Sequence, residues 1–150
     1  MDQSSKQFTT PSAFDRFVNR TFGFFVKIGL GLSHNYLLEV RGRKSGRIYS
    51  TPVNVLEVNG NRYLVAPRGY TEWVKNVLAG SEASLAKGSH REQLHLQALP
   101  DGEKPAILKA YLDNFKTTVQ RYFPIPAGSP VESFQLLAER YPVFLINPKP

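Results

Sequence analysis

The chain contains no cysteine, which excludes disulfides, thiolate metal ligands, iron–sulfur clusters and cysteine nucleophiles. Its three histidines, His34, His90 and His95, form neither an HExxH motif nor a close ligand cluster, so the sequence predicts no zinc site. No run of about 18 apolar residues is present, which argues against a membrane-spanning helix. Because no apolar stretch follows a basic start near Met1, we expect no cleavable signal peptide and a cytoplasmic location.

What the chain does contain fits a folded protein. It has 150 residues, of which 41% are hydrophobic and 12% aromatic, a composition too apolar for a disordered chain. The length predicts one domain with a sizeable core. We expect a loose polar tail over residues 1–11 and a single domain over residues 12–150.

Charge is distributed unevenly along the chain. Nineteen basic residues against twelve acidic ones give a net charge of +7. Between Arg41 and Lys75, seven basic residues face two acidic ones, so five of the seven net charges lie in this stretch. Such a concentration attracts phosphates, nucleic acid or an anionic membrane. A solvated basic face explains the charge equally well, so charge alone leaves these alternatives open.

The apolar pattern predicts an α+β fold. Aromatic and aliphatic residues recur at helical spacing from Phe14 to Ile28, which indicates an N-terminal helix packed on the domain, lying on a membrane, or covering an apolar substrate. Further on, short strands alternate with turns and are expected to close into a small, mostly antiparallel barrel with peripheral helices near both termini. The predicted strands are 36–40, 49–58, 62–66, 83–87, 92–99 and 143–146, and the predicted later helices are 72–79, 101–123 and 130–140.

The basic turn, defined here as residues 42–47, has the most pronounced local pattern. Two glycines bracket Arg43, Lys44 and Ser45 directly after a predicted strand. Glycine lets successive backbone N–H groups converge on an oxyanion, and the side chains add two positive charges and a hydroxyl donor. The turn matches neither the Walker loop nor GxGxxG, yet it suits a phosphate. A solvated basic turn is the alternative.

The context of this turn resembles a known family. The RKSG sequence of residues 43–46 is followed by STPV at 50–53, YLVAPRG at 63–69 and WVKN at 73–76. This order is similar to that of the deazaflavin-dependent nitroreductase and quinone reductase family, from about Leu37 to Gly80. The resemblance implies a split β-barrel that binds coenzyme F-420, an 8-hydroxy-5-deazaflavin with an anionic tail. It further implies hydride transfer to an acceptor, and the aromatic N-terminal helix together with residues 115–123 suggests that this acceptor is lipophilic, such as a quinone or a fatty-chain compound.

The same resemblance implies a set of cofactor-binding residues and no catalytic side chain, because the cofactor itself carries the hydride chemistry. One group would hold the phosphate, a second would line the ring, a third would lie beside the ring and tail, and a fourth would flank the tail or phosphate. In that order the groups are Arg43, Lys44 and Ser45; Thr51, Pro52 and Val53; Ala66, Pro67 and Arg68; and Trp73 with Asn76.

Three alternatives remain from the sequence. A flavin mononucleotide (FMN) enzyme of similar barrel fold is one, and a non-enzymatic carrier of a fatty acid or haem is another. A nucleic-acid-binding barrel is the third, but Tyr49 and Tyr63 are the main aromatics near the basic stretch, so we expect no nucleic-acid partner. The expected partners are a small-molecule hydride acceptor, a membrane surface contacted by the N-terminal helix, and a second copy of the chain in a homodimer.

Overall fold

The computed structural model describes residues 34–149. The predicted tail and the helix predicted between Phe14 and Ile28 lie outside the described residues.

Seven strands form one antiparallel sheet with the spatial order β2-β1-β5-β6-β7-β4-β3. Strand β1 pairs with both β2 and β5, and β7 pairs with both β6 and β4. The strand bounds are Asn35–Arg41 (β1), Ile48–Asn54 (β2), Leu56–Val58 (β3), Asn61–Val65 (β4), Glu82–Lys87 (β5), His90–Ala98 (β6) and Val143–Pro148 (β7).

Closure of this sheet follows from the positions of β2 and β3. These strands lie at opposite edges of the sheet, yet only Val55 separates them in the chain. The chain can cross from one edge to the other in a single residue only if the sheet curls until its edges meet. The N–H of Val55 donates to the carbonyl oxygen of His34 at 2.7 Å and fixes this crossing. The predicted α+β fold with a small antiparallel barrel is therefore confirmed, although the predicted strand 49–58 is divided at Val55.

Two apolar clusters stabilise the barrel. Inside the curled sheet, burial alternates along β6; Leu94 and Leu96 face inward while His95 is exposed, as a period of two requires. The second cluster lies between the sheet and the C-terminal helices, where Phe134 and Leu112 are fully buried. The helix at Pro105–Val119 packs against β3 and β4 and supplies much of this second cluster.

The helices differ in part from the sequence prediction. Helix α1 spans Glu72–Gly80 and helix α2 spans Pro105–Val119. The single helix predicted over 101–123 is instead a 3-10 turn at Asp101–Glu103, then α2, then a 3-10 turn at Gln120–Tyr122. Proline lacks the N–H that a continuous helix would use, so Pro105 begins α2 rather than lying inside it. The last helix, Val131–Arg140, is wound as a 3-10 helix.

No helix within residues 34–149 has both the length and the apolar character that a bilayer span requires.

Candidate functional site

A cavity of about 1200 Å³ lies between strand β2, the basic turn, helix α1 and helix α2. Its wall includes all eleven residues that the sequence predicted as cofactor-binding, from four separate stretches of chain. Their gathering in one cavity is what a shared binding role requires, and the role of each residue stays a prediction. They are Arg43, Lys44, Ser45, Thr51, Pro52, Val53, Ala66, Pro67, Arg68, Trp73 and Asn76.

The basic turn is closed by its own backbone. The N–H of Gly42 donates to the carbonyl oxygen of Arg47 at 2.6 Å, and the N–H of Gly46 donates to the carbonyl oxygen of Gly42 at 3.0 Å. Gly46 has a φ of 76°, which side-chain-bearing residues seldom adopt. Among residues 34–149, the backbone N–H groups of Lys44 and Ser45 have no acceptor. Two unpaired amides at the tip of a turn form the start of an oxyanion nest.

Arg43 fastens the basic turn to helix α1. Its backbone N–H and its Nη1 both donate to Oδ1 of Asn76, at 3.0 and 2.8 Å. The same Nη1 also pairs with Oε1 of Glu72 at 3.1 Å. The hydrogen bond from Arg43, followed by its positive charge, lowers the pKa of Glu72. Arg43 therefore holds the basic turn against α1, and Glu72 partly neutralises its charge. The sequence did not indicate this structural role.

Lys44 presents its charge differently. It is exposed at the cavity wall, and its ammonium makes no hydrogen bond or ion pair with any part of the chain that the structure describes. Arg68 is exposed at the same wall. Lys44 and Arg68 therefore present positive charge to the cavity without an ion pair among residues 34–149, unlike Arg43, which is paired with Glu72.

Gly42 allows a tyrosine to lie over the turn. A Cβ at position 42 would stand 2.6 Å from Cε2 of Tyr49 and 3.0 Å from Oγ of Ser45, so a side chain there would force the tyrosine ring away. The hydroxyls of Ser45 and Tyr49 are 3.1 Å apart and share a hydrogen bond. Tyr49 also lines the cavity. Tyr49 was not among the predicted site residues, although it lies only three residues after Gly46 in the sequence.

The middle of the cavity is an apolar slot. One side is the free edge of β2, with Thr51, Pro52 and Val53. The other side is the chain leaving β4 at Ala66, together with Trp73 of α1, whose ring lies 5.8 Å from the ring of Phe144. Val53 and Trp73 are half-buried against the inner core. A flat, mostly apolar ring is the ligand shape that fits between these two sides.

The far wall comes from helix α2, none of whose residues was predicted to bind the cofactor, although Phe115 belongs to the stretch that suggested a lipophilic acceptor. Tyr111, Phe115 and Val119 belong to the apolar stripe of α2, and they line the cavity as well as packing against the C-terminal cluster. The ring of His34 lies 4.7 Å from the ring of Phe115. Burial, and then the charge of Lys87, lower the pKa of His34. The remaining wall residues that the sequence did not predict are Asn35, Ser50, Asn54, Val65, Thr71, Glu72, Asn114, Thr117, Thr118, Arg121 and Tyr122, together with Gly42 of the basic turn.

At this end of the cavity three polar side chains lie together. Nδ2 of Asn35 donates to Oδ1 of Asn54 at 2.8 Å. Burial raises the pKa of Tyr111 to about 12, while the neighbouring amide of Asn54 acts in the opposite direction. Six residue steps of strand separate Asn35 from Arg41, so this polar end lies about 20 Å along β1 from the basic turn.

Comparison with known proteins places this site in a family context. The family model described as F-420H(2)-dependent quinone reductase matches residues 14–123. No curated protein matches the chain.

Solved structures show a similar fold at low sequence identity. The structure of an F-420-H2 dependent reductase (FDR-A) is 20% identical, with a TM-score of 0.53 over 77% of this chain and 95% of the other. A structure described as a domain-swapped dimer is 18% identical, with a TM-score of 0.52 over 88% and 98% of the two chains. The haem storage protein HutZ from Vibrio cholerae is 7% identical, with a TM-score of 0.55 over 93% and 92%.

Proposed function

Because the chain belongs to the F-420H2-dependent quinone reductase family and is an F-420-dependent reductase, we propose that its cavity holds the reduced deazaflavin for hydride transfer to a lipophilic acceptor such as a quinone. The observation that carries this proposal is the polarity of the cavity along its length. Cationic and amide donors of the basic turn lie at one end, Val53 and Trp73 line the middle, and aromatic side chains of α2 lie beside Asn35 and Asn54 at the other end.

This arrangement matches the chemistry of the cofactor. A deazaflavin of this type joins a flat tricyclic ring to an anionic phosphodiester tail. Lys44 and the unpaired amides of Lys44 and Ser45 would bind the anionic part, since backbone donors and a nearby cation favour negative charge. The slot between Val53 and Trp73 would take the ring. FMN differs from the deazaflavin in its ring and in its tail, but it has the same overall shape, a flat ring joined to an anion. FMN is therefore the competing ligand to be tested.

These contacts separate the role of the protein from that of the cofactor. The cofactor supplies the hydride when bound, while the protein binds, orients and excludes water. The contact of Arg43 with Asn76 would keep the turn at a fixed distance from α1, and the edge of β2 at Thr51 would set the depth of the ring. Phe115 and Tyr111 would present an apolar surface to the acceptor, which favours a lipophilic compound.

We further propose that the chain works as a homodimer, which the domain-swapped dimer among similar folds supports. Light scattering on the purified chain would give a mass near twice 16.9 kDa if this is so and a mass near 16.9 kDa if it is not.

The cofactor assignment is tested by titrating the purified protein with F-420 and, separately, with FMN, with binding followed by fluorescence quenching. We expect F-420 to bind more tightly than FMN. Lys44→Ala should weaken F-420 binding about tenfold, because a hydrogen bond to a charged group contributes about 1.5 kcal/mol or more. Lys149→Ala removes the same charge at the end of β7, outside the cavity wall, and serves as the matched control.

Two results would contradict the proposal. If neither cofactor quenches the fluorescence of the natural chain, the cavity does not bind a deazaflavin. If Lys44→Ala and Lys149→Ala bind F-420 equally well, the basic turn is not the site of the anionic tail.

A further inference from the structure

The hydroxyl of Ser45 makes two hydrogen bonds inside the basic turn. The backbone N–H of Arg47 donates to Oγ of Ser45 at 3.2 Å, and the hydroxyls of Ser45 and Tyr49 share a hydrogen bond at 3.1 Å. A serine hydroxyl can accept two hydrogen bonds and donate one. When Tyr49 is the donor, both accepting positions of Ser45 are occupied, and only its O–H is left to make a further contact.

The chemistry of the two hydroxyls favours Tyr49 as the donor. A phenol is a stronger acid than an aliphatic alcohol, and it is a weaker acceptor because its oxygen shares electrons with the ring. Ser45 has no third hydrogen-bond partner among residues 34–149. Because Ser45 is exposed and lines the cavity, the acceptor for its O–H comes from water or from a ligand in the cavity.

Two ordered parts of the fold hold the partners of this hydrogen bond. Tyr49 stands on β2 opposite Val40 of β1, and Ser45 stands in the basic turn, which two backbone hydrogen bonds close. The Tyr49 ring can lie over the turn because position 42 is glycine: a Cβ there would stand 2.6 Å from Cε2 of the ring and 3.0 Å from Oγ of Ser45. The fold therefore sets the one direction that remains for the Ser45 O–H.

We propose that Tyr49 is a positioning residue of the anion site: its hydroxyl donates to Oγ of Ser45 and so keeps the Ser45 O–H available to a phosphate oxygen bound at the basic turn. This inference rests on the proposed function for the identity of the ligand. With Ser45 fixed in this way, the turn presents donors alone, from the Lys44 side chain and from the amides of Lys44 and Ser45. A phosphodiester suits such a site, because its charged oxygens only accept and a donor already held in place loses little freedom on binding.

Removing one hydroxyl at a time tests the proposal. Tyr49→Phe keeps the ring over Gly42 and removes the donor to Ser45, and Ser45→Ala removes the donor to the ligand. Tyr63→Phe removes a hydroxyl on β4, outside the cavity wall, and is the matched control. The two backbone hydrogen bonds that close the turn involve neither side chain, so we expect each variant to keep the turn.

The first measurement is the dissociation constant of F-420 from fluorescence quenching. We expect Ser45→Ala to raise it about tenfold, because the variant lacks a hydrogen bond to a charged group. Tyr49→Phe should raise it about threefold, since the Ser45 O–H is kept but no longer held in one direction. The double variant should bind like Ser45→Ala, because Tyr49 acts only through Ser45. An unchanged constant in Tyr49→Phe, or a further loss of about threefold in the double variant, would overturn the positioning role.

The second measurement needs no cofactor. Protein labelled with ¹⁵N is titrated with inorganic phosphate at pH 8, and the backbone amide signals of Lys44 and Ser45 are followed. Both signals should shift in the natural chain and in Tyr63→Phe, and Tyr49→Phe should need about threefold more phosphate for the same shift. If the signals respond in this way while the natural chain fails to bind F-420, the proposed function is wrong and the role of Tyr49 stands. Equal responses in Tyr49→Phe and the natural chain, or no response in the natural chain, would overturn the inference.

Discussion

Replacing Asn76 by alanine should both destabilise the protein and loosen its basic turn. Asn76 is 7% exposed, and its Oδ1 accepts from the backbone N–H of Arg43 at 3.0 Å and from the Arg43 guanidinium at 2.8 Å. The substitution removes both hydrogen bonds and leaves a partly buried backbone N–H without its acceptor. Because one side chain from α1 makes both contacts, the loss is expected to act on the fold and on the site together.

The magnitude follows from the two contacts. A hydrogen bond between neutral groups contributes about 1 kcal/mol and one to a charged group about 1.5–3 kcal/mol. The Arg43 side chain is 23% exposed, so the lower value applies to the charged contact. Together they predict a loss of about 2.5 kcal/mol in the free energy of unfolding. For a domain of this size that corresponds to a melting temperature lower by about 5–10 °C.

Urea and thermal unfolding of four proteins would measure this effect: the natural chain, Asn76→Ala, Arg43→Met and the double variant. We expect the double variant to lose clearly less than the sum of the single losses, because both singles remove the same contact. Asn76→Asp keeps the acceptor oxygen and should retain most of the stability. The reasoning is refuted if the single losses add, or if Asn76→Ala costs less than about 0.5 kcal/mol, the range of ordinary surface substitutions.

Three further changes have definite expected outcomes. Gly42→Ala should displace the Tyr49 ring and weaken F-420 binding in the quenching titration with little change in melting temperature, because the ring is 38% exposed and can move. Because the pKa of His34 is lowered in the folded protein, the unfolded chain takes up a proton at a higher pH than the folded chain does. Stability should therefore decrease as the pH falls below the ordinary value of 6.5 and continue to decrease until the pH passes the folded pKa. His34→Phe should flatten that part of a stability–pH curve measured by urea unfolding. Lys104 is 3% exposed and donates to the carbonyl oxygen of Ala138 at 3.0 Å. Lys104→Ala should therefore lower the free energy of unfolding, measured with urea, by about 3 kcal/mol. An unchanged urea midpoint would contradict this.

Features set by neighbouring residues could be predicted from the sequence. The turn after β3 is an example: Asn59 and Gly60 adopt φ values of 51° and 81°, which are the values that an Asn-Gly hairpin requires. The basic turn is another, because two glycines close in sequence allow the backbone to bend tightly. The end of α1 is less well determined by the sequence, since more than one residue can end a helix. The helix was predicted over 72–79 with Gly80 ending it, but Gly80 is its last residue and Ser81 adopts the left-handed conformation, with a φ of 60°.

Helical periodicity alone does not predict the wall contributed by α2, because it does not say what the apolar stripe faces. Tyr111 and Phe115 have the spacing of core residues, and they do pack in the C-terminal cluster. Only the three-dimensional placement of α2 shows that these rings also bound a cavity.

The pairing of Asn35 with Asn54 lies where the sheet closes. Asn35 begins β1 and Asn54 ends β2, and the antiparallel register brings them opposite each other. The chain then crosses at Val55 to the other edge of the barrel, the edge against which α2 packs. The polar end of the cavity therefore sits at the one point where the two edges and the covering helix meet. No local pattern marks such a point, since asparagine at the end of a strand is also the residue expected in an ordinary turn. The distinguishing fact is the buried, unpartnered oxygen of Asn35, which appears only when the edges have closed.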